Sequence, residues 1–209
     1  MKRLCMILVL LPAPGLADDC RDHVAALFDG GALDPFATPP HALETTTYGP
    51  DGVVRYVYHG RIETPVRMVG GIDGGTMALI VGNDSWMGPS LDGPWTAAPN
   101  MVPADHEGFV RTQTAQKVAN LDRVDCAGVV DLDGVPHEKL EFFTKTDPNE
   151  AVGGAWFGGM NTVYIDPETG QVARWDTYDS VAHYQADPSP DRQVSLRRYD
   201  AEISVNAPD

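Results

Sequence analysis

Residues 161–178, NTVYIDPETGQVARWDTY, carry the clearest fold signal in this chain. Two segments rich in β-forming residues, 161–165 and 171–178, flank the turn 166–170. Proline stands early in that turn, and glycine stands late, where a positive φ is needed. The stretch therefore predicts a β-hairpin with a tight turn.

The same pattern recurs along the rest of the chain. In residues 52–63, apolar residues alternate with arginine and histidine, as in a half-buried strand. Turns at 73–75 and 133–134 join two further hairpins. The other predicted strands are 65–72, 76–82, 125–132, 136–146 and 193–205. About eight or nine strands in series, joined by short hairpins, predict an antiparallel meander and a mainly β fold.

Two helices are predicted beside this meander. Residues 20–31 place Val24, Leu27 and Phe28 at helical spacing before a Gly-Gly stop. Residues 103–120 form the second candidate. Two helices cannot cover both faces of so large a sheet, so the sheet must curl, pack as two layers or enclose a hollow.

Residues 1–17 are predicted to be a cleavable signal peptide. A positively charged pair precedes an apolar segment, and small residues stand at the −3 and −1 positions of a cleavage site. The apolar segment is shorter than the about 20 residues that span a bilayer, and a short membrane anchor is the alternative. The expected product is one soluble domain, residues 18–209, exported to the periplasm without stable membrane insertion.

Export to an oxidising compartment would determine the oxidation state of the cysteines. Because Cys5 leaves with the signal peptide, Cys20 and Cys126 remain. An even pair in an oxidising compartment predicts a disulfide. A nucleophile or a metal ligand is the alternative, but neither residue has another Cys or His at metal-ligand spacing.

Composition excludes some partners. The chain carries 15 Lys+Arg against 30 Asp+Glu, a formal net charge of −15. Such a charge argues against nucleic acid and against adsorption to anionic lipid surfaces.

No motif predicts a reaction, and no catalytic residue, metal site or cofactor is expected. The glycine-rich segment 153–159 leads into a strand and not into the helix N terminus that binds phosphate, so it predicts a loop at the sheet rim. The six histidines stand singly and are predicted at the surface. A hydrolase is the third hypothesis, because strands can bring distant residues together.

Residues 85–95 place Trp86 and Trp95 on either side of a loop that contains proline and glycine. Two interpretations are open. The tryptophans hold an apolar ligand at the mouth of a β-structure, or the loop is a lid over the core with tryptophan as its anchor.

The order of these elements resembles the LolA/LolB-like half-barrels, a superfamily of periplasmic lipoprotein carriers, and their mycobacterial lipid-carrying relatives. The shared features are an exported N-terminal helix, a long meander, the tryptophan pair, a central helix, the hairpin at 163–175 and a last strand ending EISVNAP. The resemblance covers most of residues 20–208. It implies a strongly curved antiparallel sheet, a half-barrel, with one or two helices on its concave side and a cavity for acyl chains. It also implies a carrier that works without catalysis.

The leading hypothesis is therefore a non-enzymatic periplasmic carrier of a hydrophobic small molecule or lipid. Candidate lining residues, taken from the apolar strand faces and the suspected rim, are Tyr56, Tyr58, Ile62, Met68, Met77, Leu79, Trp86 and Trp156. The alternative is a cell-envelope assembly or protein-interaction module that fills its core with its own side chains and binds an envelope protein.

Overall fold

The computed structural model describes residues 15–150 and 153–208. Within these ranges there are two α-helices, α1 Gly15–Leu27 and α2 His106–Ala119. The strands are β1 His41–Tyr48, β2 Val54–Thr64, β3 Arg67–Ile72, β4 Met77–Val81, β5 Asp84–Gly88, β6 Thr96–Ala97, β7 Asp122–Leu132, β8 Val135–Lys145, β9 Phe157–Ile165, β10 Val172–Ala182 and β11 Arg192–Tyr199. Most of the predicted signal peptide lies outside the described residues, and its cleavage stays a prediction.

All of these strands belong to one antiparallel sheet, in the order β6-β5-β4-β3-β2-β1-β11-β10-β9-β8-β7. Strands pair with their neighbours in sequence except where β1 pairs with β11, over eight residue pairs from His41–Tyr199 to Tyr48–Arg192. In the part of the chain that the structure describes, the sheet is open, with β6 and β7 at its edges. The predicted mainly β, antiparallel fold is confirmed.

Sequence patterns missed β1, β5 and β6. β1, HALETTTY, contains a run of threonines in place of an apolar alternation, and pairing with both β2 and β11 orders it. β5 overlaps the start of the loop predicted between Trp86 and Trp95, but it pairs with β4 from Met77–Gly88 to Val81–Asp84. In both cases the ladder of backbone hydrogen bonds outweighs the local signal.

Both helices cover the same half of the sheet. The Cys20–Cys126 disulfide ties α1 to β7, which confirms the predicted pair. Phe28, just after α1, contacts Phe142 of β8 edge-on, with ring centroids 6.0 Å apart. The buried members of this main core are Val24, Phe28, Leu33, Leu121, Leu140, Phe142, Val163, Ile165 and Val172.

A second apolar cluster lies on the other half of the sheet. Its buried members are Val69, Leu79 and Val205, and the residues packed against them include Val81, Trp86, Leu91 and Trp95. Val205 comes from the segment after β11, so the chain's own end fills this site. The loop after β5 folds down onto the cluster, which favours the lid interpretation of the two tryptophans.

A buried carboxylate joins β10 to β11. Asp176 is buried and accepts hydrogen bonds from Nε and Nη2 of Arg174, both at 2.8 Å, and from Arg192. The bond to Asp176 raises the pKa of Arg174, because it favours the charged guanidinium. Asp176 therefore holds two arginines beside the strand pair at which the two halves of the sheet meet.

Removing the charge of this carboxylate should weaken the junction. We expect Asp176→Asn to lower the free energy of unfolding by about 2 kcal/mol, the scale of a lost hydrogen bond to a charged group. Asp179→Asn, exposed on the same strand, is the matched control and should change it by less than about 0.5 kcal/mol. Urea unfolding followed by tryptophan fluorescence measures both; equal losses in the two variants would contradict the assignment.

The disulfide should contribute much of the stability of the helix-covered half. The two cysteines are 106 residues apart, for which the loop-entropy model gives about 4–5 kcal/mol. We expect the double substitution Cys20→Ser, Cys126→Ser to lower the free energy of unfolding by that order, and reductant to lower that of the unaltered chain equally. An unfolding curve insensitive to reductant would show that the bond does not constrain the unfolded chain.

Candidate functional site

A cavity of about 290 Å³ lies between the two helices and the sheet, and we call it the helix–sheet cavity. Its sheet wall consists of residues that share one face of β8, β9 and β10: Thr144, Gly159, Asn161, Trp175 and Thr177. The same face carries the large core residues Leu140 and Val163 further along. Space remains because Thr144, Gly159 and Thr177 are small where the core residues are large.

The opposite wall comes from the helices. Phe28 contributes its ring from the end of α1, and Gln113 and Lys117 contribute from α2. Gln113 and Lys117 are four residues apart, so they lie on one side of the helix. The hydroxyl of Thr144 donates a hydrogen bond to the backbone carbonyl of Lys117, which fixes this turn of α2 on β8.

Asn161 organises the buried wall without offering a free polar group. Its Oδ1 accepts hydrogen bonds from Trp175 Nε1 at 2.8 Å and from the Thr177 hydroxyl at 3.3 Å. Its Nδ2 donates to the carbonyl of Gly159 at 2.9 Å and to that of Phe142 at 3.4 Å. The amide is therefore satisfied, and the Trp175 ring is held in a fixed orientation as an apolar surface.

Aromatic side chains form the mouth. Phe157 lines the cavity and is nevertheless 51% exposed, so it lies where the cavity opens. Its ring contacts those of His183 and Tyr184 edge-on, with centroids 6.2 and 6.5 Å away. Tyr184 is 69% exposed, which makes this a solvent-facing aromatic rim.

The space continues along both sides of α2. A cavity of about 270 Å³ shares Gln113, Thr146 and Phe157 with the first one. Another, of about 360 Å³, lies between α1 and α2 and shares Phe28. The helices therefore cover the sheet without sealing it.

Two lysines are the titratable groups of the helix–sheet cavity. Burial lowers the pKa of the Lys117 amine, because the charged form loses hydration. None of the ion pairs among the described residues includes Lys117. Lys145 is exposed at the mouth, with its Nζ 5.6 Å from the Trp156 ring centroid.

The eight residues predicted to line a cavity are divided between the two faces of the sheet. Tyr56, Tyr58, Ile62 and Met68 share the face of the helix–sheet cavity, as the register Trp175–Ser195–Thr45–Tyr58 shows. They lie on β2 and β3, away from the helices, and none of the eight lines this cavity.

Three other predicted lining residues, Met77, Leu79 and Trp86, face the opposite side of the sheet. Trp156 lies beside Lys145 at the mouth. Ligand contact at these residues stays a prediction.

Sequence reasoning missed the residues that do line the cavity. The spacing of Gln113 and Lys117 on α2 is visible in the sequence, but it does not show which strand the helix covers. Trp175 belongs to the predicted hairpin 163–175, yet only the strand register places it beside Asn161.

The glycine-rich segment differs from the prediction. Gly153 and Gly154 form a turn with φ of 70° and 76°, as a rim loop requires. Residues 157–159 begin β9 instead of continuing that loop. A Cβ at Gly158 would lie 2.6 Å from Cβ of Lys145, so glycine allows β8 to approach closely.

The prediction that every histidine lies at the surface is wrong for three of them. His41, His106 and His137 are buried. In each case ring Nδ1 lies within hydrogen-bond distance of a backbone carbonyl oxygen, of Pro39, Gly82 and Val135 respectively, at 2.8–3.1 Å. Burial lowers the pKa of His41. Local carbonyls pair with these rings, so they are structural.

A cavity of about 400 Å³ on the face opposite the helices brings His59 and Glu44 to 3.8 Å from each other. Its lining residues include no serine, threonine or cysteine, so this acid–histidine pair has no nucleophile beside it.

Across the described residues, no group of three or more His, Cys, Asp and Glu is placed to hold a metal ion. No described helix is both long and apolar enough to cross a bilayer.

No family model matches this sequence, and no curated protein does. Among solved structures, lipoprotein LppX of Mycobacterium tuberculosis is similar, with a TM-score of 0.51 at 12% identity, over 88% of this chain and 99% of that one. LprF from Mycobacterium bovis aligns with a TM-score of 0.48 at 9% identity, over 90% and 97% of the chains. A LolA superfamily protein from Nitrosomonas europaea aligns at 0.33 and 11%, over 83% and 90%. The likeness to LppX confirms, at the level of fold, the predicted resemblance to half-barrels and their mycobacterial relatives.

Proposed function

We propose that this chain is an exported, non-enzymatic protein that binds a hydrophobic ligand with an acyl chain in the helix–sheet cavity. The observation that carries this proposal is the cavity of about 290 Å³ walled by the rings of Phe28, Phe157 and Trp175. These rings offer apolar surface at a site that two helices leave open. Such a site favours binding over chemistry, since the wall's buried amide is already satisfied.

The driving force is apolar burial. Each methylene removed from water contributes about 0.8 kcal/mol, so a chain of about ten carbons contributes on the order of 8 kcal/mol. The cavity of about 290 Å³ lies just below the range of roughly 300–1,000 Å³ usual for ligand pockets. A single chain of medium length therefore fits it better than a lipid with several chains.

Export to the periplasm is part of the proposal. The disulfide supports it, because such bonds persist in oxidising compartments. The predicted signal peptide, residues 1–17, would direct the domain 18–209 there. The fold likeness to a protein named as a lipoprotein, LppX, is compatible with a role at the cell envelope.

A cell-envelope interaction module is the second candidate, and one observation favours it. The half of the sheet around Leu79 is filled by Val205 and the lid loop, as expected of a self-filled core. The exposed rim of Phe157, His183 and Tyr184 would then contact a protein partner. In that case the purified chain should carry a bound protein and no lipid.

Filling the cavity tests the carrier directly. The Gln113 side chain makes no hydrogen bond among the described residues, so we expect Gln113→Trp to keep the fold and occupy the cavity. Binding of a fluorescent fatty acid should fall at least tenfold, and lipid adducts seen by native mass spectrometry of periplasmic protein should be lost.

The matched control is Ala119→Trp, which adds the same ring at an exposed position of α2. It should bind the probe as the unaltered chain does. Two results would count against the carrier: an unaltered chain that binds no fatty acid and purifies without an adduct, or a Gln113→Trp variant that binds undiminished.

A further inference from the structure

The charge of the helix–sheet cavity is opposite to that of the whole protein. Two of its lining residues, Lys117 and Lys145, are basic, and none of them is acidic. The chain as a whole has 30 Asp+Glu against 15 Lys+Arg. A positively charged pocket in an acidic surface attracts anions locally and concentrates the field where they would bind.

Lys117 is the more informative of the two lysines. Its backbone is fixed by the Thr144 hydroxyl, and the residue lines the cavity. The amine has lost hydration, and no carboxylate of the described residues forms an ion pair with it. Lys117 is half-buried, and a charge that has lost part of its hydration attracts a nearby anion more strongly than a charge in bulk water does.

The other large cavity lacks aromatic walls. There Arg61 pairs with Asp92 at 2.7 Å and His59 faces Glu44. Arg197 and Arg198 also line that cavity, but no Phe, Tyr or Trp does. The chain's own carboxylates partly neutralise that site. The helix–sheet cavity combines unneutralised basic groups with aromatic walls, and this combination suits a molecule with an anionic end and an apolar body.

We infer that the helix–sheet cavity selects a single-chain amphiphile with an anionic headgroup, a carboxylate or a phosphate. The headgroup lies beside the Lys117 amine, and the chain lies against Phe28 and Trp175. Lys145 at the mouth adds attraction to anions as they enter. This inference rests on the proposed function and names the class of its ligand.

The experiment compares four probes of equal chain length and different headgroup: decanoate, decyl phosphate, decanol and decyltrimethylammonium. Isothermal titration calorimetry measures their binding to the unaltered chain and to Lys117→Met, which shortens the unbranched side chain by one atom and removes its charge. Lys117→Arg keeps the charge. Lys139→Met is the control, since Lys139 pairs with Glu141 at 3.3 Å outside the cavity.

At least one of the two anions should bind about tenfold more tightly than decanol, and decyltrimethylammonium should bind most weakly. Lys117→Met should remove the preference for the anion while decanol still binds, which also shows that the variant is folded. Lys117→Arg and Lys139→Met should retain the preference. The tighter of the two anions identifies the headgroup.

Two sets of results would overturn the inference in different ways. If decanol binds as tightly as both anions, or if Lys117→Met keeps the preference, the headgroup assignment is wrong and the carrier proposal stands. If none of the four probes binds, both the headgroup inference and the proposed carrier function are wrong.

Discussion

The pairing of β1 with β11 makes this molecule a single sheet. The two meanders, β1–β6 and β7–β11, join at this ladder in the described sheet, over eight residue pairs. A hydrogen bond between the Thr45 and Ser195 hydroxyls, 2.8 Å apart, crosses the ladder, and Asp176 holds Arg192 beside it. Both helices then pack on β7–β10, so the two halves of the sheet are covered by different means.

That asymmetry explains where a ligand could be held. On the β3–β5 half, the lid loop and the segment after β11 fill the apolar surface of the sheet themselves. On the other half, the helices cover a core of large apolar residues. Along the same face of the sheet this core is followed by the smaller residues Thr144, Gly159 and Thr177, where the cavity lies. The hollow is therefore a consequence of side-chain size along three strands. Its aromatic walls and its two lysines suit an amphiphile better than a reacting substrate.

Sequence patterns predicted the elements whose signals are local. The 163–175 hairpin, both helices and the disulfide depend on turn residues, helical spacing and cysteine number, and each is present. β1 and β5 were missed because partner strands on both sides order them. The local sequence also does not show which face of the sheet a lining residue occupies. Tyr58 and Leu79 are both apolar residues of predicted strands, but they face opposite sides of the sheet.

The sequence by itself determined an acidic, mainly β chain of antiparallel hairpins with two helices and a disulfide that links the first helix to the middle of the chain. Local chemistry suffices for that, since turns, helix spacing and charge act over a few residues. Only the tertiary structure decided that Phe28, Lys117 and Trp175 meet around one hollow. Strand register and helix placement are set by packing between segments far apart in the chain, and a shift of one residue would turn each side chain to the other face.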